Sequence, residues 1–154
     1  EFTPLRYESE EGLGYSALTA LVTAVLQAVR PGSMTSVAVP WSPDGIDARY
    51  YDFRGIGYGC TISFIMGYSL QSQIFSRCIA GGQSMKMLKH GIQDFKALGI
   101  PADRLVLGTD WGGQVWECTN YDGSNADLDY CEISVQSTAY RGVNCTSAVY
   151  CIPR

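Results

Sequence analysis

The sequence predicts an α/β fold assembled from parallel crossover units, and three features of the 154-residue chain carry that expectation. Valine-rich segments alternate with segments of helical periodicity, and two strands joined by a helix are the arrangement that parallel pairing needs. The run Cys60 to Tyr68 becomes apolar on both faces in its second half, as strands covered from both sides do. From Gly112 onward Tyr, Asn, Asp, Ser and Cys dominate and the helical period disappears. Residues 1–111 are therefore read as the α/β segment. Residues 112–154 are read as a cysteine-rich insertion of the same domain.

In chain order, residues 1–14 are polar, with Glu8, Glu10 and Glu11, and read as a loop. Tyr15 to Arg30 is predicted helical, with Ser16 as N-cap and Pro31-Gly32 as stop. Its apolar run, Ala17 to Val29, is shorter than the about 20 residues a bilayer span needs. Thr19, Thr23 and Gln27 interrupt it four residues apart, on one face, which marks a core-packing helix and no membrane span. Thr35 to Trp41 is a valine-rich strand. Ser42 to Gly59 holds Pro43, Gly45, Gly55, Gly57 and Gly59 and reads as a long loop with one helical turn. Its Gly55-Ile56-Gly57-Tyr58-Gly59 run precedes a strand, whereas a dinucleotide fingerprint follows one and opens a helix, so that reading is rejected.

Cys60 to Tyr68 is the second strand. Ser84 to Leu98 carries an apolar stripe at Met85, Met87, Leu88, Ile92, Phe95 and Leu98, closed by Gly99 and Pro101, and is the second helix. Leu105 to Thr109 is the third strand, and the tail is expected to form short strands or hairpins. The helices cover one face of this sheet. The other face is left for further segments or another protein chain, because a bare apolar sheet is a patch that soluble monomers avoid.

Composition narrows the function. Hydrophobic residues make up 46% and charged residues 17%, which suits a globular chain. Net charge is -4 and no Lys/Arg cluster exists, so nucleic acid and anionic membrane are excluded as expected partners. The six cysteines, at 60, 78, 118, 131, 145 and 151, contain no Cys-x-x-Cys pair, and His90 is the single histidine. No structural zinc site and no cofactor are expected. Asp122, Asp127, Asp129 and Glu132 lack the alternating oxygen spacing of a calcium loop and read as a solvated segment. An even, irregular cysteine set favours disulfides and an oxidising compartment, with buried free thiols as the other reading. Asn144-Cys145-Thr146 fits an N-glycosylation acceptor, which points the same way.

Four segments taken together carry a family resemblance: Tyr15 to Val22, Val37 to Asp47, Phe64 to Gln73 and Leu105 to Trp111. They resemble the chitobiase-like branch of the family 18 glycoside hydrolases, the chitinase-like enzymes. The resemblance implies a partial (β/α) TIM-barrel, about βα units 4 to 7, because a whole eight-unit barrel takes about 250 residues. It implies a lysosomal or secreted glycosidase acting on N-acetylglucosamine-containing oligosaccharides. In that family the last residue of an Asp-x-x-Asp-x-Asp-x-Glu motif protonates the glycosidic oxygen while the substrate's own acetamide attacks the anomeric carbon.

Glu1 falls at that acid's position, although Glu1-Phe2 also reads as residues encoded by a cloning site. Tyr68 matches the tyrosine that holds the acetamide, and Met66 its neighbour on the same strand face. Ser69 replaces the family's aspartate and so loses a charge-assisted hydrogen bond, about twice as strong as a neutral one. Trp111 keeps the tryptophan of a Pro-Trp-Tyr-Gly run, in which Asp110 replaces the proline and Gly112 the tyrosine. Trp41, at a strand end, completes the expected sugar-facing set. Core packing is the plain alternative for Met66 and Tyr68, and burial that merely closes a barrel is the alternative for Trp41 and Trp111. Cys60, Cys78, Cys118, Cys131 and Cys145 match cysteine positions of the family, with Cys60–Cys78 the favoured bridge, and Cys151 is extra. The departures at Ser69 and Gly112 keep open a second reading, a catalytically inactive glycan-binding or structural subunit.

Overall fold

The computed structural model describes residues 7, 9–46, 49–68, 72–74, 77–79, 85–112, 117, 119, 130–140 and 143–151. Helix α1 is Glu10–Val29, β1 Ser36–Val39, α2 Phe53–Gly59, β2 Ile62–Met66, β3 Ser72–Ile74, β4 Arg77–Ile79, α3 Met85–Ala97, β5 Leu105–Gly108, β6 Tyr130–Tyr140 and β7 Val143–Cys151. In β3, β4, β7 and most of β6 the description is of the backbone.

The parallel α/β expectation stands. β1, β2 and β5 form one sheet in the order β1-β2-β5, and both pairings are parallel, with Val39 opposite Ile65 and Ile65 opposite Leu107. Alternation places Val37, Val39, Ser63, Ile65, Leu105 and Leu107 on one face. That face meets α2 and α3 in a core of Val39, Phe53, Ile56, Ile65, Phe95 and Ile100. An edge-on series of rings runs through it from α1 to α3. Tyr15–Tyr51, Tyr51–Phe53 and Phe53–Phe95 have centroids 5.0, 5.9 and 5.8 Å apart, the T-shaped geometry that aromatic quadrupoles favour. The opposite face carries Ala38, Phe64 and Val106. Ala38 and Val106 are exposed and Phe64 is half-buried.

Three local expectations are corrected. The first helix starts at Glu10 rather than Tyr15, because Ser9 is its cap: the Gly12 N–H donates to Ser9 Oγ at 3.1 Å. Glu10 and Glu11 in the first turn suit the positive end of the helix dipole. Ser16, expected as the cap, lies inside the helix and donates to Leu13 O at 3.0 Å. The expected loop over 42–59 ends in a seven-residue helix, α2, capped by Asp52, whose Oδ1 accepts from Gly55 N at 2.9 Å. Its glycines reflect close packing rather than a loop. A Cβ on Gly59 would meet the Ala20 backbone N at 3.1 Å, so α2 lies directly on α1.

The third correction concerns α1, expected to pack its apolar face into a core. Apart from Tyr15, which packs on the core, its inward stripe is Gly12, Ser16, Thr19 and Thr23, small and polar. Thr23 Oγ1 lies 2.7 Å from Thr35 Oγ1, which lies 3.4 Å from Thr61 Oγ1. Leu18, Leu21, Val22, Val25, Leu26 and Val29 point outward and are exposed. The helix is also 20 residues long and apolar enough to cross a bilayer by length and composition alone, a description that core helices and signal sequences fit as well.

The tail was expected to form short strands or hairpins. It forms a long antiparallel hairpin of β6 and β7 with a register shift between Ser134 and Thr138. This hairpin joins β3 and β4 in a second sheet ordered β3-β4-β7-β6. Cys60, expected to pair with Cys78, is a buried free thiol. Its Sγ donates to Ile62 O at 3.3 Å and lies 3.6 Å from Ser63 Oγ. The C-cap of α2 holds it against the start of β2, within the protein's interior. Cys118 lies outside the described residues, as do the side chains of Cys78, Cys131, Cys145, Cys151 and Asn144.

Candidate functional site

Parallel strands end on one edge, and α/β folds build their sites on the loops beyond that carboxyl edge. Here β1 leads to Trp41, β2 to Met66 and Tyr68, and β5 to Asp110 and Trp111. Pairing continues one step past β2, where Gly67 N–H donates to Gly108 O at 2.9 Å. Only a glycine fits at 67, because a Cβ would stand 2.7 Å from that same carbonyl oxygen. The tight pairing delivers Tyr68 to the edge, half-buried, with Met66 on the same strand also half-buried. Asp110 is exposed, and Trp111 is wholly exposed at the end of the neighbouring strand.

Trp41 does not join them. It is 4% exposed and packs with Ile46 and Leu88, so its ring faces are taken by protein and cannot stack on a sugar. The cause lies on α3. Gly91 lets that helix lie against the Trp41 carbonyl, which any side chain at 91 would strike. Trp41 Nε1 is buried without a hydrogen-bond partner, a cost that such packing must offset. Glu1 and Ser69 fall outside the described residues. The described edge thus brings together Met66, Tyr68, Asp110 and Trp111: a phenol, a thioether, a carboxylate and an indole.

A second constellation was missed by sequence reasoning, which weighed His90 as a solitary histidine. His90 Nε2 stands 3.2 Å from Asp44 Oδ2 and 3.0 Å from Asp94 Oδ2. The ligand-type atoms of all three lie within 4.8 Å of one another. The signal was available, since His90 and Asp94 are spaced i,i+4 on α3 and must share a face. Asp44 arrives from the loop after β1, where Ser42 Oγ donates to its Oδ2 at 2.7 Å and Asp44 N–H donates back to Ser42 Oγ at 3.2 Å. Tyr7 OH donates to Pro43 O at 2.8 Å, steadying the same loop. Burial first, and then the facing Asp44 carboxylate, hold the Asp94 carboxyl above its ordinary range, while His90 pulls the other way. Burial, then Asp44, likewise raise the Tyr7 phenol. A cavity of about 490 Å³ adjoins, lined by Tyr7, Asp44, Tyr51, Phe53, Asp94 and Leu98 among others.

The chain matches no protein-family model. It is similar to di-N-acetylchitobiase of Rattus norvegicus, 36% identical over 138 residues, covering 87% of this chain and 36% of that protein. The protein of Mus musculus with the same name is 37% identical over the same span, again 87% of this chain and 36% of the relative. "Probable di-N-acetylchitobiase 2" of Dictyostelium discoideum is 34% identical, over 87% of this chain and 35% of its own length. The chain is thus a chitobiase-like relative that spans about a third of the length of the curated proteins it matches.

Proposed function

We propose that this chain is part of a chitobiase-like glycosidase which, at the relatives' full length, acts on N-acetylglucosamine-containing oligosaccharides by substrate-assisted hydrolysis. The observation that carries the reading is the coincidence of two facts. The chain is 34–37% identical to di-N-acetylchitobiases along most of its length, and Tyr68 stands at the carboxyl edge of a parallel sheet. In this reading the Tyr68 hydroxyl holds the acetamide as it attacks, Glu1 is the proton donor, and Met66, Ser69, Asp110 and Trp111 line the sugar. The partial (β/α) barrel is completed by segments lying over the Phe64 face of the sheet and over the outer face of α1, either from the same polypeptide or from another chain. Four of Cys78, Cys118, Cys131, Cys145 and Cys151 supply two bridges around the tail and Asn144 carries a glycan, in keeping with a lysosomal or secreted protein.

The inactive glycan-binding subunit keeps a place because of specific residues. Ser69 and Gly112 stand where the resembled family has an aspartate and a tyrosine, and Trp41 is sealed in the interior. The two readings part on one assay: hydrolysis of a chromogenic chitobioside by protein of the relatives' length that contains this segment, beside its Tyr68→Phe variant. The glycosidase reading expects turnover that falls at least ~10²-fold in the variant, the loss typical of a positioned proton-handling group. Oligosaccharide binding without turnover would overturn it in favour of the subunit.

A further inference from the structure

His90 and Asp94 sit one turn apart on a rigid helix, and Asp44 faces them from a loop fixed by Ser42 and Tyr7. We infer that Asp44, His90 and Asp94 form a binding site for one divalent transition ion of the zinc type, which ties the loop after β1 to α3.

Distances come first. Ligand atoms each about 2.0–2.1 Å from a zinc ion stand roughly 3.0–3.4 Å from one another in tetrahedral or octahedral arrangement. The Nε2–Oδ2 separations of 3.2 and 3.0 Å match two such edges, and the two carboxylates' ligand atoms lie within 4.8 Å of each other. The hydrogen-bonding pattern comes second. Nε2 can carry one proton, which Asp44 Oδ2 is aligned to accept. Asp94 Oδ2 is a fully buried atom with no hydrogen-bond partner, despite lying 3.0 Å from the same nitrogen. One cation between the three ligand atoms would satisfy the imidazole and both carboxylates at once.

The ligand set also chooses the ion. An imidazole with two carboxylates suits zinc and its first-row neighbours, while calcium and magnesium prefer oxygen alone. Three protein ligands leave a position for water, and the cavity beside Asp44 and Asp94 has room for it. Ser42, hydrogen-bonded to Asp44, is the kind of outer-shell partner that orients a metal-bound carboxylate.

The experiment titrates zinc chloride into the metal-stripped chain by calorimetry, with cobalt(II) absorption as a second probe. One equivalent should bind, and His90→Asn, Asp94→Asn and Asp44→Asn should each weaken it by at least ~10²-fold, beyond the ~10–100-fold that losing an outer-shell partner costs. Gln93→Ala, exposed on the same helix, should change nothing, and far-UV circular dichroism identifies any variant that fails to fold. Asp44→Asn keeps the test sound if the α3 variants misfold, since it alters only the loop. The cobalt spectrum should lack the sulfur-to-cobalt charge-transfer band. No binding, which would leave a side-chain contact cluster only, overturns the inference. So does binding that survives all three variants, or a thiolate band that places the ion on the cysteines.

Discussion

Replacing glycine by alanine inside a helix ordinarily stabilises it, because glycine is about 0.8–1.0 kcal/mol the poorer helix former. Gly14 and Gly91 should give opposite signs for that same substitution. Gly14 lies in α1, exposed, and a Cβ there would meet nothing within 4 Å. Gly14→Ala should therefore raise stability by about 0.5–1 kcal/mol. Gly91 lies in α3 against the loop that holds Trp41. Its Cβ would fall inside the Trp41 carbonyl oxygen, with 2.9 Å to the carbonyl carbon and 3.1 Å to Ser42 Cα. These are backbone atoms and cannot rotate aside, so α3 must lift.

Overpacking of this kind costs about 1–3 kcal/mol, and a backbone obstacle puts it at the upper end. Subtracting the propensity gain of about 1 kcal/mol leaves Gly91→Ala destabilised by about 2 kcal/mol. Urea unfolding followed by circular dichroism reads both values. In a thermal melt, each kcal/mol corresponds to about 2–4 °C for a chain of this size. Trp41, 4% exposed, adds a local probe. If α3 lifts, its emission shifts to the red in Gly91→Ala and not in Gly14→Ala. Equal signs for the two variants, or a Gly91→Ala protein as stable as its parent, would show that α3 does not press on Trp41 as described.

Leu21 is 61% exposed and Phe95 is 0% exposed, so Leu21→Gln should change the unfolding free energy of the chain by less than about 0.5 kcal/mol. Phe95→Ala should cost about 3–5 kcal/mol, as buried aromatic truncations do. The buried Cys60 thiol should react with iodoacetamide only after denaturation, and a tryptic peptide linking Cys60 to Cys78 would refute that assignment. This chain alone should not turn over a chromogenic N-acetylglucosaminide at a rate distinguishable from Tyr68→Phe, since a lone edge phenol lacks a clamped acid and an orienting carboxylate. Robust turnover lost on that substitution would refute it.

The parallel sheet was legible because burial on both faces leaves a run of apolar residues that polar neighbours cannot imitate. Ile62–Met66 and Leu105–Gly108 fall inside the segments the pattern marked. α2 was not legible, and the reason is physical. Gly55, Gly57 and Gly59 are poor helix formers, and a local reading gives them to a loop. They are tolerated in α2 because Asp52 caps it and because α1 at Gly55 and Gly59, and Ile100 at Gly57, approach too closely for larger side chains. Close contact between two helices is a non-local fact, and no window of sequence contains it.

α1 misled for the opposite reason. Its period was read correctly, since Thr19 and Thr23 do share a face, but periodicity names two faces without saying which turns inward. The usual inference sends leucine and valine to the core, yet here Thr23 meets Thr35, which in turn meets Thr61, while the leucines face out. That inversion leaves the apolar side of α1 exposed and turns a narrow seam of small and polar residues inward. The site divides along the same line. Tyr68 and Trp111 were named through the resemblance, and the fold puts both just past strand ends on the carboxyl edge of the parallel sheet. Trp41 was misassigned because its fate depends on Gly91, fifty residues away. The Asp44–His90–Asp94 cluster was half visible, as an i,i+4 pair on α3. Its third member came only with the fold, since nothing local to Asp44 says that the loop after β1 will close on that helix.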